Sequence, residues 1–272
     1  MGGEVKVVML PFLAFGHLIP FHHLATALAK AGVHVIFVST PNNIRRLPKL
    51  PQEIVNMIEF IQFPLPESLL ASFLSLVADR SPNWIIADVI PHWAADVARD
   101  LDIPLILFNV SLPESFEAPP RWVDFPSSVA FRNHEAVAVH AGLYGKNASG
   151  IADAQRLAKL LQASQAIAVR SCKEIENEYL NLYVKITNKP VIPGLNARLL
   201  VDKGLAIEVE REEDGSFNRN GVAQCLRRAM EGAEGERLKV RAEEAAAIFS
   251  DRKLQDQYVA DFVDYLRKGP RK

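Results

Sequence analysis

Residues 5–40 read VKVVMLPFLAFGHLIPFHHLATALAKAGVHVIFVST and determine the fold class. Val5 to Leu10 and Val33 to Thr40 are short apolar, β-branched runs, the pattern of strands buried on both faces of a parallel sheet. Between them, Pro20 fits the first turn of a helix, apolar residues recur at helical spacing, and Gly32 ends the helix. This order of strand, helix and strand predicts a right-handed βαβ unit.

The alternation of strand and helix continues to residue 193, which predicts a doubly wound α/β fold with a parallel sheet. One stretch interrupts it: Pro, Gly and aromatic residues dominate from Leu112 to Gly150, and we expect irregular loop there. The further strands are predicted at Ile58 to Phe63, Trp84 to Asp88, Pro104 to Val110, Ala166 to Ser171 and Pro190 to Pro193, and the further helices at Ser68 to Asp79, Trp93 to Leu101, Ile151 to Ala163 and Lys173 to Thr187.

The chain after residue 193 has a different, more charged pattern. Near its end, Tyr258, Phe262 and either Tyr265 or Leu266 recur at helical spacing, which predicts one buried helix face. We read these residues as packing residues. The other predicted elements are a helix at Gly194 to Lys203, a strand at Leu205 to Val209, a turn at Asp214-Gly215, and charged amphipathic helix broken near Gly232 and Gly235.

Composition limits the classes of partner. The 272 residues contain 31 Lys plus Arg against 32 Asp plus Glu, a net charge of −1, so nothing favours nucleic acid or an anionic membrane, and we expect a small-molecule partner. The two cysteines, Cys172 and Cys225, form neither a metal-binding spacing nor a disulfide framework, and we predict no metal site. No signal segment or membrane-length apolar run is visible, which favours a cytoplasmic location.

His17 and Asp88 are the candidate catalytic pair. In an open α/β sheet, ligands bind at the carboxyl ends of the strands, and His17 follows the first strand while Asp88 closes a later one. A histidine can take a proton from a hydroxyl near neutral pH if a carboxylate fixes its tautomer. The alternative is that His17 is an ordinary loop histidine and Asp88 caps the helix near Pro91. His92 is a weaker rival for the role of base.

Several common enzyme motifs are absent from the sequence. The loop after the first strand reads PFLAFGH at residues 11–17, and its single glycine argues against the dinucleotide motif G-x-G-x-x-G. The phosphate-binding motif G-x-x-x-x-G-K-[ST], the hydrolase motif G-x-S-x-G and the zinc motif H-E-x-x-H do not occur either. The sequence therefore gives little support to the enzyme classes that these four motifs characterise.

Two segments resemble plant family-1 UDP-glycosyltransferases, in particular those that glycosylate flavonoid or terpenoid glycosides. They are LPFLAFGHLIPFHHLATALAKAGVHVIFVSTPNNIRRL at residues 10–47 and PNWIIADVIPHWAADVARDLDIPLILFNV at residues 82–110. The resemblance implies the GT-B fold, in which two Rossmann-like domains face each other. It also implies that His17 deprotonates the acceptor hydroxyl and that Asp88 orients it. We further predict acceptor contacts at Phe15, Gly16, His92 and Trp93.

The chain departs from the family pattern in its second half. KPVIP at residues 189–193 is followed at once by GLNARLLVDKGLAIEVEREEDGSF at 194–217, which the family carries near the end of its second domain. The block between them, with the signature that binds the UDP-sugar, is missing. The segments between Pro66 and Ser81 and after Val110 also look shortened, so we expect an altered acceptor pocket.

These departures lead to two functional hypotheses and to a third possibility, in which another chain supplies the missing block as in a split enzyme. We expect residues 1–193 to be an acceptor-binding Rossmann-like domain and residues 194–272 a helical remnant of the donor domain. One hypothesis is a glycosyltransferase that uses a UDP-sugar as co-substrate, with no tightly bound cofactor. The alternative is a catalytically silent acceptor-binding or partner-binding domain. Loss of the facing domain also makes self-association through the exposed cleft face an expectation.

Overall fold

The computed structural model describes residues 4–63, 69–109, 123–126, 133–147, 149–194, 209 and 218–270. Within these residues, seven strands form one sheet in the order β3-β2-β1-β4-β5-β6-β7, and each neighbouring pair is parallel. The predicted α/β fold with a doubly wound parallel sheet is confirmed. The strands are β1 Lys6–Leu10, β2 His34–Ser39, β3 Ile58–Gln62, β4 Trp84–Ala87, β5 Leu105–Asn109, β6 Ala166–Arg170 and β7 Val191–Gly194.

Helices connect the strands and cover both faces of the sheet. In the described ranges they are α1 Phe15–Lys30, α2 Pro41–Arg46, α3 Leu69–Arg80, α4 Ala94–Asp100, α5 Asn133–Tyr144, α6 Asp153–Ala163, α7 Lys173–Thr187, α8 Arg219–Glu231, α9 Ala233–Ser250 and α10 Arg252–Lys268, with a short 3₁₀ helix at Gln52–Met57.

The residues of β1 alternate between two hydrophobic clusters that lie on opposite faces of the sheet. In β1, Val7 and Met9 join the cluster under α1 and α10, whereas Val8 and Leu10 join the cluster under α3, α4 and α6. Because successive side chains of a strand point to opposite faces, a strand covered on both sides must be apolar throughout. This explains why the parallel strands are recognisable as continuous apolar runs.

Helix α1 begins at Phe15, one turn earlier than the sequence predicts. The backbone N–H of His17 already donates to the carbonyl of Ala14 at 3.0 Å, so helical hydrogen bonding starts ahead of Pro20. Pro20 lies inside the helix, where its ring nitrogen has no hydrogen to donate to the carbonyl of Gly16. The pair Gly16-His17 therefore belongs to the first turn of a helix and not to a loop.

Helix α5 was not expected from the sequence. It lies in the stretch from Leu112 to Gly150, for which we predicted irregular loop, and its residues NHEAVAVHAGLY do not separate into polar and apolar faces. Without that separation, helical periodicity gives no signal. The prediction is wrong for these residues, while residues 110–122, 127–132 and 148 lie outside the described part of the chain.

The C-terminal helices differ from the prediction in where they break. The break at Gly232 is present, but Gly235 lies inside α9. A second break occurs at Asp251, whose carboxylate caps α10 by accepting two of its backbone N–H groups at 2.9 and 3.2 Å. Gly194 ends β7 and does not begin a helix. The predicted helix at 195–203, the strand at 205–208 and the turn at 214–215 lie outside the described residues.

Helix α10 packs against the parallel-sheet domain. Phe262, Val263 and Leu266 are buried in the cluster under α1, and the indole Nε1–H of Trp84 donates to the backbone carbonyl of Leu266 at 2.9 Å. The phenolic oxygen of Tyr258 accepts from a backbone N–H at the start of α7 and donates to a glutamate of that helix, at 2.9 and 2.8 Å. The packing role predicted for this helix face is confirmed.

Candidate functional site

The parallel pairing of β1 with β4 brings the candidate pair together. Leu10, the last residue of β1, is in register with Ala87, the last residue of β4. The backbone N–H of Asp88 continues this pairing by donating to the carbonyl of Leu10 at 3.1 Å. Because both strands end at the same edge, the residues that follow them meet there. Asp88 thus faces the connection that leads into the first turn of α1.

Asp88 is fully buried, with 0% of its surface exposed, and it accepts three hydrogen bonds. Its Oδ1 accepts from the backbone N–H of Val89 at 2.7 Å, while its Oδ2 accepts from the backbone N–H of Phe12 at 3.1 Å and contacts Nδ1 of His17 at 2.9 Å. Three N–H partners satisfy a carboxylate that cannot reach water. Helix α4 follows Trp93 without a side-chain cap, so the alternative role of Asp88 as its N-cap is wrong.

The contact with Asp88 fixes the tautomer of His17. A carboxylate can only accept, so Nδ1 of the neutral imidazole carries the proton and Nε2 has a free lone pair. The side chain of His17 is 28% exposed, and its ring contacts that of Phe12 edge-on with 5.4 Å between the centroids. A partly exposed imidazole whose Nδ1 is held by a buried carboxylate is an arrangement that can accept a proton from a hydroxyl at Nε2.

His92 has the opposite arrangement and does not fit the role of base. Nη1 of Arg156 lies 3.0 Å from Nδ1 of His92. Because a guanidinium can only donate, this Nδ1 must be the unprotonated nitrogen, and Nε2 then carries the hydrogen. Neither ring nitrogen is left with a free lone pair. Burial lowers the pKa of His92, and the neighbouring charges of Arg156 and Lys159 act in the same direction.

A cavity of about 150 Å³ opens at the same sheet edge, beyond the ends of β1, β2 and β3. Its walls are mostly apolar, and Trp93 forms part of them. The ring of Trp93 also packs edge-on against Phe73, with 5.3 Å between the centroids. The described residues that line it are Leu10 to Leu13, Val38 to Thr40, Phe63, Leu69, Ile90, Pro91, Trp93 and Arg156.

The other predicted acceptor contacts do not line this cavity. Phe15 is 38% exposed, and the guanidinium of Arg46 lies 4.5 Å from the centre of its ring. Gly16 has open space where a Cβ would be, in the first turn of α1 next to His17. His92 is held by Arg156. The structure therefore brings Trp93 to the cavity and leaves Phe15 and Gly16 on the surface around His17.

Sequence reasoning missed Arg156. Only 8% of its surface is exposed, and it lines the cavity that Trp93 also lines. Its position three residues after Asp153, with which it forms an ion pair at 3.3 Å, is typical of a solvated helix face. A signal was nevertheless present, because Arg156 precedes the fully buried Leu160 by four residues and so shares its face of α6.

The histidines give a prediction about stability and pH. Burial lowers the pKa of His22 and of His92 from the ordinary value of about 6.5. Above that pH these side chains are neutral in both states. As the pH falls below it, the unfolded chain binds protons first, so the free energy of unfolding should fall until the lowered pKa values are reached. We expect urea unfolding at pH 7.5 and 5.5 to show lower stability at pH 5.5.

The matched variants His22→Gln and His140→Gln test the assignment. His22 is buried, whereas His140 is exposed. The stability difference between the two pH values should shrink in His22→Gln and stay as in wild type in His140→Gln. An equal difference in all three proteins would contradict the explanation.

Comparisons with known proteins agree with this geometry. The family model "Glycosyltransferase, N-terminal domain" matches residues 3–114, which contain β1 to β5 and both members of the pair. UDP-glycosyltransferase 91C1 from Arabidopsis thaliana is 34% identical over 236 residues, an alignment that covers 70% of this chain and 51% of the relative. The chain thus spans about half the length of that relative.

None of the helices in the described ranges has the length and apolar character needed to cross a membrane.

A second relative is aligned over almost the whole length of both chains. UDP-glycosyltransferase 91D2 from Stevia rebaudiana is 22% identical over 458 aligned positions, which cover 98% of this chain and 96% of the relative. With 272 residues, the chain leaves more than a third of those positions unmatched, and they fall inside the alignment. A solved UDP-glucosyltransferase from Polygonum tinctorium has the same fold, with a TM-score of 0.70 and 11% identity over 99% of this chain and 100% of that one. The chain belongs to the plant family-1 UDP-glycosyltransferases, and more than a third of the positions aligned with the Stevia rebaudiana relative have no counterpart in it.

Proposed function

We propose that this chain is the acceptor-activating half of a sugar transferase. In this role it binds a small molecule with a free hydroxyl, and His17 takes the proton of that hydroxyl as its oxygen attacks the anomeric carbon of a UDP-sugar. The observation that carries the proposal is the 2.9 Å contact between Nδ1 of His17 and a buried carboxylate of Asp88 that two backbone N–H groups hold in place. Membership of the family gives the reaction class.

The reaction would proceed as one displacement. A new C–O bond forms between the acceptor oxygen and the sugar, the bond to the β-phosphate oxygen of UDP breaks, and UDP leaves with the electron pair. The acceptor proton moves to Nε2 of His17, and the resulting imidazolium is stabilised by Asp88. A positioned base of this kind contributes about 10²–10⁴-fold to a rate.

The cavity and the resemblance together support a proposal for the acceptor class. Apolar walls with Trp93 and Pro91 suit the hydrophobic body of a flavonoid or terpenoid glycoside. Phe15 and Gly16 next to His17, and His92 beside Trp93, are proposed as further acceptor contacts. Self-association through the exposed cleft face also stays a prediction.

The second candidate function is a silent binding domain. It is favoured by the sequence after Pro193, where the family's UDP-sugar signature is missing. A diphosphate is held by backbone N–H groups at a helix N-terminus or by cations, and a buried sugar needs paired polar groups. On this reading, residues 1–193 still bind an acceptor, and residues 194–272 serve to complete the core through α10. We take this to be the behaviour of the isolated chain.

Completing the chain tests whether His17 is the base. The central segment of the Stevia rebaudiana relative that has no counterpart here would be inserted between Pro193 and Gly194. We expect this chimera to transfer glucose from UDP-glucose to a phenolic or terpenoid glycoside. His17→Ala in the chimera should lower kcat/KM by about 10²–10⁴-fold, because the hydroxyl loses its base.

His23→Ala is the control for this experiment. His23 is an exposed histidine of the same helix, and its loss should leave kcat/KM close to that of the parent chimera. A chimera that transfers sugar equally well with and without His17 would refute the assignment of the base.

A further inference from the structure

Arg156 is a buried cation that joins α6 to the loop between β4 and α4. Its Nη1 donates to the backbone carbonyl of Ile90 at 3.2 Å and to Nδ1 of His92 at 3.0 Å. Its Nη2 donates to the hydroxyl of Ser149, and its Nε faces Asp153 at 3.3 Å. A buried charge is retained only when it is paired and hydrogen-bonded, and these partners supply both.

The loop that Arg156 contacts begins with Asp88. This loop contains the buried carboxylate of Asp88, the carbonyl of Ile90 that Arg156 contacts, and Trp93, which lines the cavity. One guanidinium nitrogen therefore holds the loop at two points, one on the backbone and one on the ring of His92. A planar group with fixed donors is suited to such a double contact, because it loses little freedom on binding.

The donors of Arg156 also decide which nitrogen of His92 carries hydrogen. Arg156 has no lone pair to offer, so Nδ1 of His92 accepts and Nε2 is protonated. The oxygen of Ile90 lies 3.4 Å from the same Nδ1, a weaker contact that would require the other tautomer. The shorter contact, which comes from a charged donor, determines the outcome.

Among the residues that the structure describes, the remaining charges near His92 lie on α4 and α6. Lys159 of α6 forms an ion pair with Asp96 of α4, and Asp96 also pairs with Arg99 at 3.1 Å. Asp153 pairs with Arg156 itself. The nearby carboxylates are thus already matched by cations, so Arg156 is the group that determines the proton position on His92.

We propose that Arg156 is a positioning residue that anchors the Asp88–Trp93 loop and holds His92 as a neutral Nε2–H donor. The two histidines of the site then have opposite tautomers: His17 keeps Nε2 free and acts as the base, whereas His92 offers Nε2–H as a hydrogen-bond donor. The part played in sugar transfer rests on the proposed function, but the tautomer itself does not.

Nitrogen-15 NMR of the full-length chain measures the tautomers of His92 and His17 in one spectrum. Long-range ¹H–¹⁵N correlations distinguish protonated from unprotonated ring nitrogens, and His92→Gln and His17→Gln assign the signals. We expect an unprotonated Nδ1 and a protonated Nε2 for His92, and the reverse for His17. Protonated Nδ1 at His92 would overturn the present inference, whereas protonated Nε2 at His17 would instead overturn the proposed base.

Arg156→Met removes the donors at nearly constant length. The expected result is a mixture of His92 tautomers and an upward shift of the apparent pKa of His92, since a neighbouring positive charge is lost. An unchanged His92 spectrum in the folded variant would overturn the proposal. Arg80→Met, which breaks the exposed pair of Arg80 with Glu59, is the control and should leave His92 unaffected.

If the Met variant does not fold, Arg156→Lys tests whether a donor at this position determines the tautomer of His92. An ammonium group also only donates, so we expect His92 to keep its Nε2–H tautomer in this variant. A tautomer mixture there would show that a donor at this position does not control His92 and would overturn the proposal.

Discussion

The purified chain, mixed with UDP-glucose and a phenolic or diterpenoid glycoside, is expected to produce no detectable transfer. Deprotonating the hydroxyl is half of the reaction, because the leaving UDP must also be held in line and its growing negative charge stabilised by donors already in place. Losing a single such donor typically costs about 10²–10³ in rate. The family's UDP-sugar signature is missing as a whole from this sequence, so turnover should fall below measurement even with His17 in place.

Two measurements make this expectation testable. Product formation is followed by mass spectrometry over a panel of glycosides, with His17→Ala as the blank. Titration with UDP, followed by calorimetry, should give no heat of specific binding. Transfer that His17→Ala abolishes would contradict the expectation and would mean that the C-terminal helices or a second copy of the chain rebuild a donor site.

Phe262→Ala is expected to destabilise the protein strongly. Only 3% of Phe262 is exposed, and it belongs to the cluster that α10 completes under α1. Truncating a buried phenylalanine removes its transfer free energy and leaves a cavity, which together cost about 3–5 kcal/mol. Since small domains are stable by only about 5–15 kcal/mol, urea unfolding followed by circular dichroism should show a large drop in the midpoint.

Met230→Ala is the matched control. Met230 is a large apolar residue of α8 with 81% of its surface exposed, so its truncation should change the free energy of unfolding by no more than about 0.5 kcal/mol. A loss below about 1 kcal/mol for Phe262→Ala would mean that the docking of α10 adds little to the stability of the domain.

The sheet could be predicted because its strands are buried on both faces. Apolar runs such as Val5 to Leu10 and Ala166 to Ser171 have one interpretation in an α/β chain, namely strands of a covered parallel sheet. Helix α5 could not be predicted, since its residues lack a polar face and an apolar face. The start of α1 was placed too late because Pro20 suggested a first turn, whereas the helix accommodates it in its interior.

The candidate site was predictable where it depends on strand ends. His17 and Asp88 follow strands that the sequence identifies, and parallel pairing alone brings them to one edge. Arg156 reaches the site from α6 through tertiary packing across α4, which no local pattern records. The tautomer of His92 depends in turn on that contact. Sequence analysis therefore identified His17, Asp88 and Trp93, and the contacts between helices and loops supplied the rest of the site.

The hydrogen bond from Trp84 to Leu266 joins residues 182 positions apart and has a consequence for synthesis on the ribosome. At about 5–20 residues per second, the β4 strand emerges roughly 10–40 s before the helix that covers its indole. During that interval the apolar surface beneath α1 has no cover from α10. A nascent chain stalled before residue 252 should therefore be a target for chaperones, and release of the last helix should end that association.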